Sequence, residues 1–391
     1  ETLGRLTKQT RLIDNRSYVM ETTSFDPLHR PLTIKYPTNE IVTLTYDHEG
    51  EQMLQAGADL LVGNVTYNAR GQMVLLDRGG SAPDSTLLYH PQTDASGGGT
   101  GDSNFRLKTI QHGAAGTGNA FPDFSYEYDR VGNISKLTTL STAGTDTQTF
   151  TYDDLDRLLT AGAAGGVANY SQTYAYSKLG NLTSFAGNTY TYSGGKPHAV
   201  THLGGVQKFW YDANGNMTSR IEGSTTYTQV FDVENRLTSV TPSGGSATTF
   251  AYDANGIRTK TVQPGGVTTY FPFPGYEETV NGANTISRGS YSFAGQTVAL
   301  RVSGDPVSGN NGLFYVLSDH VGSTSMLVNS SGGVVAGSTT RNLPYGGYRT
   351  TPTQTITDRD FTGQKENREL GLLYYNARFY VPGIGRFASA D

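Results

Sequence analysis

A pattern recurs about every 20 residues along this chain: two aromatic residues two apart, then Asp, two variable residues, Gly, and Leu-Thr or a near variant. Tyr126-Glu127-Tyr128-Asp129-Arg130-Val131-Gly132 is one copy. Phe209-Trp210-Tyr211-Asp212-Ala213-Asn214-Gly215 and Phe250-Ala251-Tyr252-Asp253-Ala254-Asn255-Gly256 are two more. A period of this length means one supersecondary unit stacked many times, so it constrains the fold class before any other residue is read.

The unit has a mechanical reading. Residues two apart in a strand point to one face. The pairs Tyr126/Tyr128, Tyr174/Tyr176, Tyr190/Tyr192, Phe209/Tyr211 and Phe250/Tyr252 therefore each put two rings on one side of a sheet. Aromatics suit a half-buried pleated surface. The following Asp sits where a type I turn favours a short carboxylate able to accept backbone N–H bonds. The Gly three later supplies a backbone angle that a side chain disfavours. Each unit reads as a β-hairpin or half of one, and the short connections demand antiparallel pairing.

The anchor aromatics are Phe25, Tyr46, Tyr67, Tyr89, Tyr128, Tyr152, Tyr176, Tyr192, Tyr211, Phe231, Tyr252 and Tyr270. The interval from Tyr89 to Tyr128 is longer. It holds Ser96-Gly97-Gly98-Gly99-Thr100-Gly101 and a glycine-rich stretch after His112, read as loops or a degenerate repeat. Some copies replace Asp by Asn or Ser (Asn68, Ser177, Ser193), which still bond a turn backbone. Asn235 stands in for Gly, and Asn tolerates positive φ better than most residues. Expected strands are about 4 to 8 residues long, with little helix.

Composition agrees. The chain has 49 Gly and 25 Tyr in 391 residues, and 16% charged residues against roughly 25% in an average globular domain. That balance suits many short strands and tight turns. A net charge of −5 with no basic block leaves no electrostatic footprint for nucleic acid. No run approaches the roughly 18 apolar residues of a spanning helix. With no Cys, disulfides and thiolate chemistry are excluded.

The repeat resembles the YD repeat of RHS-repeat proteins, a family that includes bacterial Rhs toxins, the C component of Tc toxin complexes and animal teneurins. The C-terminal part resembles the family's associated core. Tyr315-Val316-Leu317-Ser318-Asp319-His320-Val321-Gly322-Ser323-Thr324 is similar to its "DHLGST" segment, and Leu343-Pro344-Tyr345-Gly346 to its aromatic-Gly turn. The run from Phe361 through Tyr374-Tyr375-Asn376-Ala377-Arg378-Phe379-Tyr380 to Gly385-Arg386-Phe387-Ala388-Ser389-Ala390-Asp391 completes the likeness. It covers essentially the whole chain. The implied fold is all-β: a long antiparallel strip of YD-repeat hairpins spiralling into a hollow or partial shell, with the end of the core tucked inside as a plug. Residues 1–300 would carry the repeats and 301–391 the RHS repeat-associated core. About a dozen units are few for the family's usual cavity. The expectation is a partial shell completed by another polypeptide, or a smaller one. The ends at Glu1 and Asp391 read as those of a piece of a longer polypeptide, any signal peptide lying upstream.

The resemblance also implies a candidate catalytic site. In cleaving members the core ends in an aspartyl autoprotease, in which two close carboxylates share a proton and one activates water while the other protonates the carbonyl. The later aspartate maps onto Asp391; the earlier one, in some members, directly follows the arginine that maps onto Arg378. The earlier aspartate falls at Phe379, and the family's Tyr-Asp-Pro reads Tyr380-Val381-Pro382, so neither place supplies a carboxylate. Asp358 or Asp360 is the remaining candidate for a second carboxyl. The plain alternative makes Asp391 a turn residue and Arg378 a structural ion-pair partner.

Other constellations are weaker. His198 and His202 lie four apart, but their glycine-rich surroundings are not helical, so no metal site is expected. Asp319, His320 and Ser323 are hydrolase residue types confined to one strand-turn segment. The glycine-rich stretches lack the strand–loop–helix context and Lys-Ser/Thr of a phosphate loop, so no cofactor is expected. Two function classes follow. One is a secreted shell around a C-terminal toxin or effector, its partner being that effector domain or a second shell-forming polypeptide. The other is a bacterial cell-surface scaffold or adhesin that binds glycans or another cell.

Overall fold

The computed structural model describes residues 3–48, 50–91, 104–113 and 120–390. The Ser96–Gly101 stretch, most of the glycine-rich stretch after His112, and Asp391 lie outside the described residues. Within them the chain is all-β, its helix confined to single 3-10 turns such as Pro264–Gly266 and Pro382–Ile384. Eighteen strands from Lys8–Ile13 to Val206–Gln207 form one sheet, and twelve from Phe209–Tyr211 to Thr324–Asn329 form a second. Each strand pairs antiparallel with the next in sequence. Strand lengths scatter more widely than expected, from two residues at His202–Leu203 to ten at Arg16–Phe25.

The anchor aromatic fixes the register. Tyr128 pairs with Ile134, Tyr152 with Leu158, Tyr176 with Leu182, Tyr211 with Met217 and Tyr252 with Arg258, each with a register shift just before the Tyr. The Asp after it caps the turn. Asp253 Oδ1 accepts the N–H groups of Asn255 and Ile257 at 2.9 and 3.0 Å, and its own N–H donates to Ile257 O. The third position after the Asp takes positive φ, 76° at Gly256 and 60° at Asn235, which is why Gly or Asn stands there. Tyr270 departs from the expected anchor role. Its strand continues to Phe273, which pairs with Tyr276 across the Pro274-Gly275 turn. The long interval after Tyr89 contains one further strand, Leu107–His112, in which Leu107 pairs with Tyr89. It lacks the aromatic that marks the other units.

The strip curls until its second sheet lies on its own first strands. Arg11 meets Asp253, 242 residues on, at 3.0 Å. Arg16 meets Glu278 at 2.6 Å, and Arg301 meets Glu40 and Asp59 at 2.8 and 2.6 Å. Leu54, Leu61, Val65 and Leu76 of the first strands pack with Phe293, Leu313, Tyr315 and Leu317 of the last ones. The strand Gly312–Ser318 is buried on both faces: Leu313, Tyr315 and Leu317 face that core, while Phe314 and Val316 join a second one with Ile356. Here the alternation of polar and apolar residues gives way to a continuous apolar run.

After Asn329 the chain leaves the strip. It makes a short ribbon, Arg341–Asn342 with Tyr348–Thr350, and a four-stranded sheet from Lys365–Asn367 to Arg386–Phe387. Leu372, Phe379, Val381 and Ile384 of this sheet pack against Tyr174, Phe209, Leu237 and Phe250, the aromatic face of the strip. The C-terminal segment therefore covers the face that the repeat pattern exposes.

Candidate functional site

The C-terminal sheet and the strip face beneath it hold the candidate residues. Arg378 ends the Leu372–Tyr375 hairpin turn and pairs with Tyr375. Its guanidinium lies over the Phe387 ring, 4.1 Å from the centroid, and Phe387 meets Tyr375 and Tyr380 edge-on at 5.6 and 5.3 Å. Asp391 is outside the described residues, but the chain leading to it is fixed. Ala388 N–H donates to Phe379 O at 2.8 Å, and Ala388 O accepts the Met217 N–H at 2.7 Å.

Phe379, in the place where the resemblance calls for a carboxylate, is buried. It packs between Phe250 and Tyr374, with centroids 4.8 and 5.1 Å away. Beside it lies the buried Arg258, 4.1 Å over the Tyr374 ring and 6.0 Å from the Phe379 ring. Burial lowers the Arg258 pKa from its ordinary value. This cation is held by aromatic faces and by Asn367 Oδ1 at 3.3 Å, in surroundings that favour a charge-delocalised guanidinium over a compact ammonium.

The two alternative carboxyls fall into separate networks. Asp358 accepts from Lys365 Nζ at 2.9 Å, and Lys365 also pairs with Glu277. Burial raises the Asp358 pKa, but the Lys365 charge and hydrogen bond outweigh it and hold the carboxylate below its ordinary range. Asp360 is buried, and its Oδ1 has no hydrogen-bond partner among the described residues. Burial and then the charge of Glu366 push its pKa up to about 6. Tyr348 Oη donates to Glu366 Oε2 at 2.6 Å, and Arg368 Nε to the same oxygen at 3.0 Å. After burial, the carboxylate that raises the Asp360 pKa is thus Glu366. Sequence reading missed Glu366: it lay in the Gln364-Lys365-Glu366 motif, quoted only for its likeness, and nothing in its spacing marks a partner for Asp360.

The remaining constellations resolve into structural roles. Asp319 Oδ1 accepts the N–H groups of Val321 and Ser323 at 3.0 and 2.9 Å, which makes it a turn cap. Ser323 Oγ accepts the Thr362 N–H at 3.1 Å. His320 meets Tyr126 edge-on at 4.8 Å. His198 Nδ1 bonds Asn181 at 2.8 Å and His202 Nδ1 bonds Thr201 at 2.9 Å. A buried relay that the sequence did not signal runs from Arg78 Nη1 to Ser85 Oγ at 2.6 Å, and from there to His112 Nδ1 at 2.7 Å. His112 Nε2 lies 3.2 Å from Ser318 O. Burial and then Arg78 push the His112 pKa down to about 3, so the ring stays neutral and ties the two windings together.

A wound strip of Tyr-Asp hairpins, closed on its aromatic face by its own C-terminal sheet, defines a β-shell architecture built from repeats. Residues 231–268 match the RHS Repeat family profile, so the chain carries an RHS repeat. It is 24% identical over 400 residues to toxin subunit YenC1 of Yersinia entomophaga, covering 85% of this chain and 40% of that protein. It is 32% identical over 196 residues to the tRNA3(Ser)-specific nuclease WapA of Bacillus spizizenii, covering 46% of this chain and 8% of that one. The fold matches the crystal structure of TcdB2-TccC3-Cdc42 with a TM-score of 0.80 at 21% identity, over 98% of this chain and 22% of that chain. The chain thus spans less than half the length of these curated relatives.

Proposed function

We propose that this chain is part of a secreted RHS shell that encloses a C-terminal toxin or effector of the same polypeptide, with residues 301–391 acting as the core that seats the junction. The observation that carries this reading is the C-terminal sheet docked on the strip's aromatic face, its last described residues tied to Met217 by the Ala388 carbonyl. Similarity to a toxin subunit and to a nuclease supports it.

Size adds a constraint. The cavities between the strip and the C-terminal segment measure about 790 and 700 Å3. A folded 100-residue domain has a radius of gyration of about 13 Å, far too large for either. A folded cargo therefore needs further shell, from the rest of the polypeptide or from a second shell-forming chain. An unfolded cargo needs a longer strip as well. In this reading Asp391 is the carboxylate for any self-cleavage after the core, with Arg378 balancing its charge.

The test is protease protection of the natural full-length polypeptide. A segment following residue 391 that resists trypsin in the intact protein, and is digested once the shell is unfolded, supports enclosure. Equal digestion in both states, or a membrane or wall anchor in place of a variable domain, favours a surface scaffold instead.

A further inference from the structure

The cavity of about 700 Å3 lies between the strip strands of residues 124–158 and the C-terminal segment. One side is formed by Phe124, Leu137, Phe150 and Tyr152 of the repeat face, and Met326 and Tyr345 close the other. Its volume falls in the range of small-molecule sites, about 300–1,000 Å3, and its walls are of the mainly apolar kind such sites use.

One end is charged. Arg349 and Asp146 are both buried and paired in a fork, with two contacts of 2.9 Å. Arg349 further donates to Val167 O and Ala168 O at 3.0 and 3.1 Å. That carboxylate and that guanidinium satisfy each other. Arg341 lines the same cavity, half-buried, and its side chain makes no hydrogen bond or ion pair with the described residues. Arg341 is the second arginine near Asp146, whose oxygens are already held by Arg349. The cavity's other carboxylate, Asp319, has its Oδ1 spent on the N–H groups of Val321 and Ser323. Arg341 is only half-buried and keeps contact with water, so an anion held against it exchanges that water for a charge-assisted hydrogen bond.

We propose that this cavity binds an amphiphile with one anionic head and an apolar body, a fatty carboxylate being the fitting class, with the head against Arg341 and the body along Phe124, Leu137, Phe150 and Tyr152. A guanidinium presents parallel donors to a carboxylate, so the head can be held by two hydrogen bonds. The site rests on this cavity alone and is independent of any cargo.

The experiment is isothermal titration of the chain with dodecanoate below its micelle concentration, with dodecanol as the uncharged probe. One saturable dodecanoate per chain is expected. Arg341→Met should weaken dodecanoate at least tenfold and leave dodecanol unchanged, whereas Arg341→Lys, which keeps the charge but loses the fork, should fall between the parent and Arg341→Met. Leu137→Trp, which fills the cavity, should abolish both, with thermal melting reporting that each variant is folded. Absence of saturable binding to the unmodified chain overturns the proposal. So does unchanged dodecanoate affinity in Arg341→Met, or saturable binding of an acidic peptide where dodecanoate fails. The parent titration needs no variant, so the proposal stays testable if a substitution prevents folding.

Discussion

The hydroxyl of Tyr252 donates to the carbonyl oxygen of Leu237 across 2.6 Å. Leu237 opens the preceding strand, so the ring that ends one hairpin reaches back to the start of the one before. Tyr128 makes the same bond to Leu107, Tyr152 to Ile134, Tyr176 to Leu158 and Tyr192 to Leu182, all between 2.7 and 2.9 Å. Tyr211 reaches Val200 at 2.9 Å. The Tyr of the repeat is therefore both a wall of the buried face and a clasp between successive units, which explains why Phe serves less often in that position.

Tyr252→Phe keeps the ring and removes the clasp, leaving the Leu237 carbonyl short of a donor. A loss of about 1–2 kcal/mol is expected, read from urea unfolding. A change within error would show that water replaces the phenol and that the clasp contributes nothing.

The buried Arg349–Asp146 pair joins the C-terminal ribbon to the strip. Asp146→Ala strands a buried guanidinium and should cost about 3–5 kcal/mol. Replacing both residues by apolar ones, Asp146→Leu with Arg349→Met, should recover much of that loss, because neither charge is then desolvated. A double variant as unstable as the single one would mean that the ion pair itself, and not the orphaned charge, sets the cost.

Asp360 and His112 give stability opposite slopes with pH. The Asp360 carboxyl, pushed up from 3.8 to about 6 by burial and by Glu366, binds its proton more tightly in the folded state. Between about pH 4 and 6 the folded chain holds the extra proton, so this contribution falls as pH rises. Its size is on the order of 3 kcal/mol. His112, pushed down from 6.5 to about 3 by burial and then Arg78, binds its proton more tightly in the unfolded chain, so its contribution rises with pH over about 3 to 6.5. Asp360→Asn removes the first slope alone. Its stability relative to the parent should climb between pH 4 and 6.5, and parallel profiles would show that Asp360 does not titrate there.

The repeat made the strip, its antiparallel order and its aromatic face legible, because a Tyr-Asp-x-x-Gly turn fixes register locally. What lay beyond reach was set by packing between distant windings. Tyr270 looks like an anchor, yet the turn falls after Phe273, since Pro274-Gly275 provides an alternative bend. The strand Leu107–His112 carries no aromatic signature and is held by its neighbours. The Arg78–Ser85–His112 relay ends on Ser318 in a distant strand, a contact across folded layers that no sequence period encodes. The effect of Glu366 on Asp360 depends on their burial around the Phe361–Gly363 turn.

The last prediction concerns cleavage. A two-carboxylate mechanism needs a partner for Asp391, and the place that the resemblance assigns to it holds Phe379, packed between Phe250 and Tyr374. Asp360 has an elevated pKa, but burial and then Glu366 account for it, and neither involves Asp391. The natural polypeptide, where it continues past residue 391, should therefore process itself slowly or stay intact over hours on a denaturing gel. Phe379→Asp would place a carboxylate beside the buried Arg258, whose charge offsets part of the burial cost. That variant should cleave faster than the parent, and adding Asp391→Asn should remove the gain and leave the full-length species. Rapid processing of the parent that survives Asp391→Asn would take Asp391 out of the mechanism.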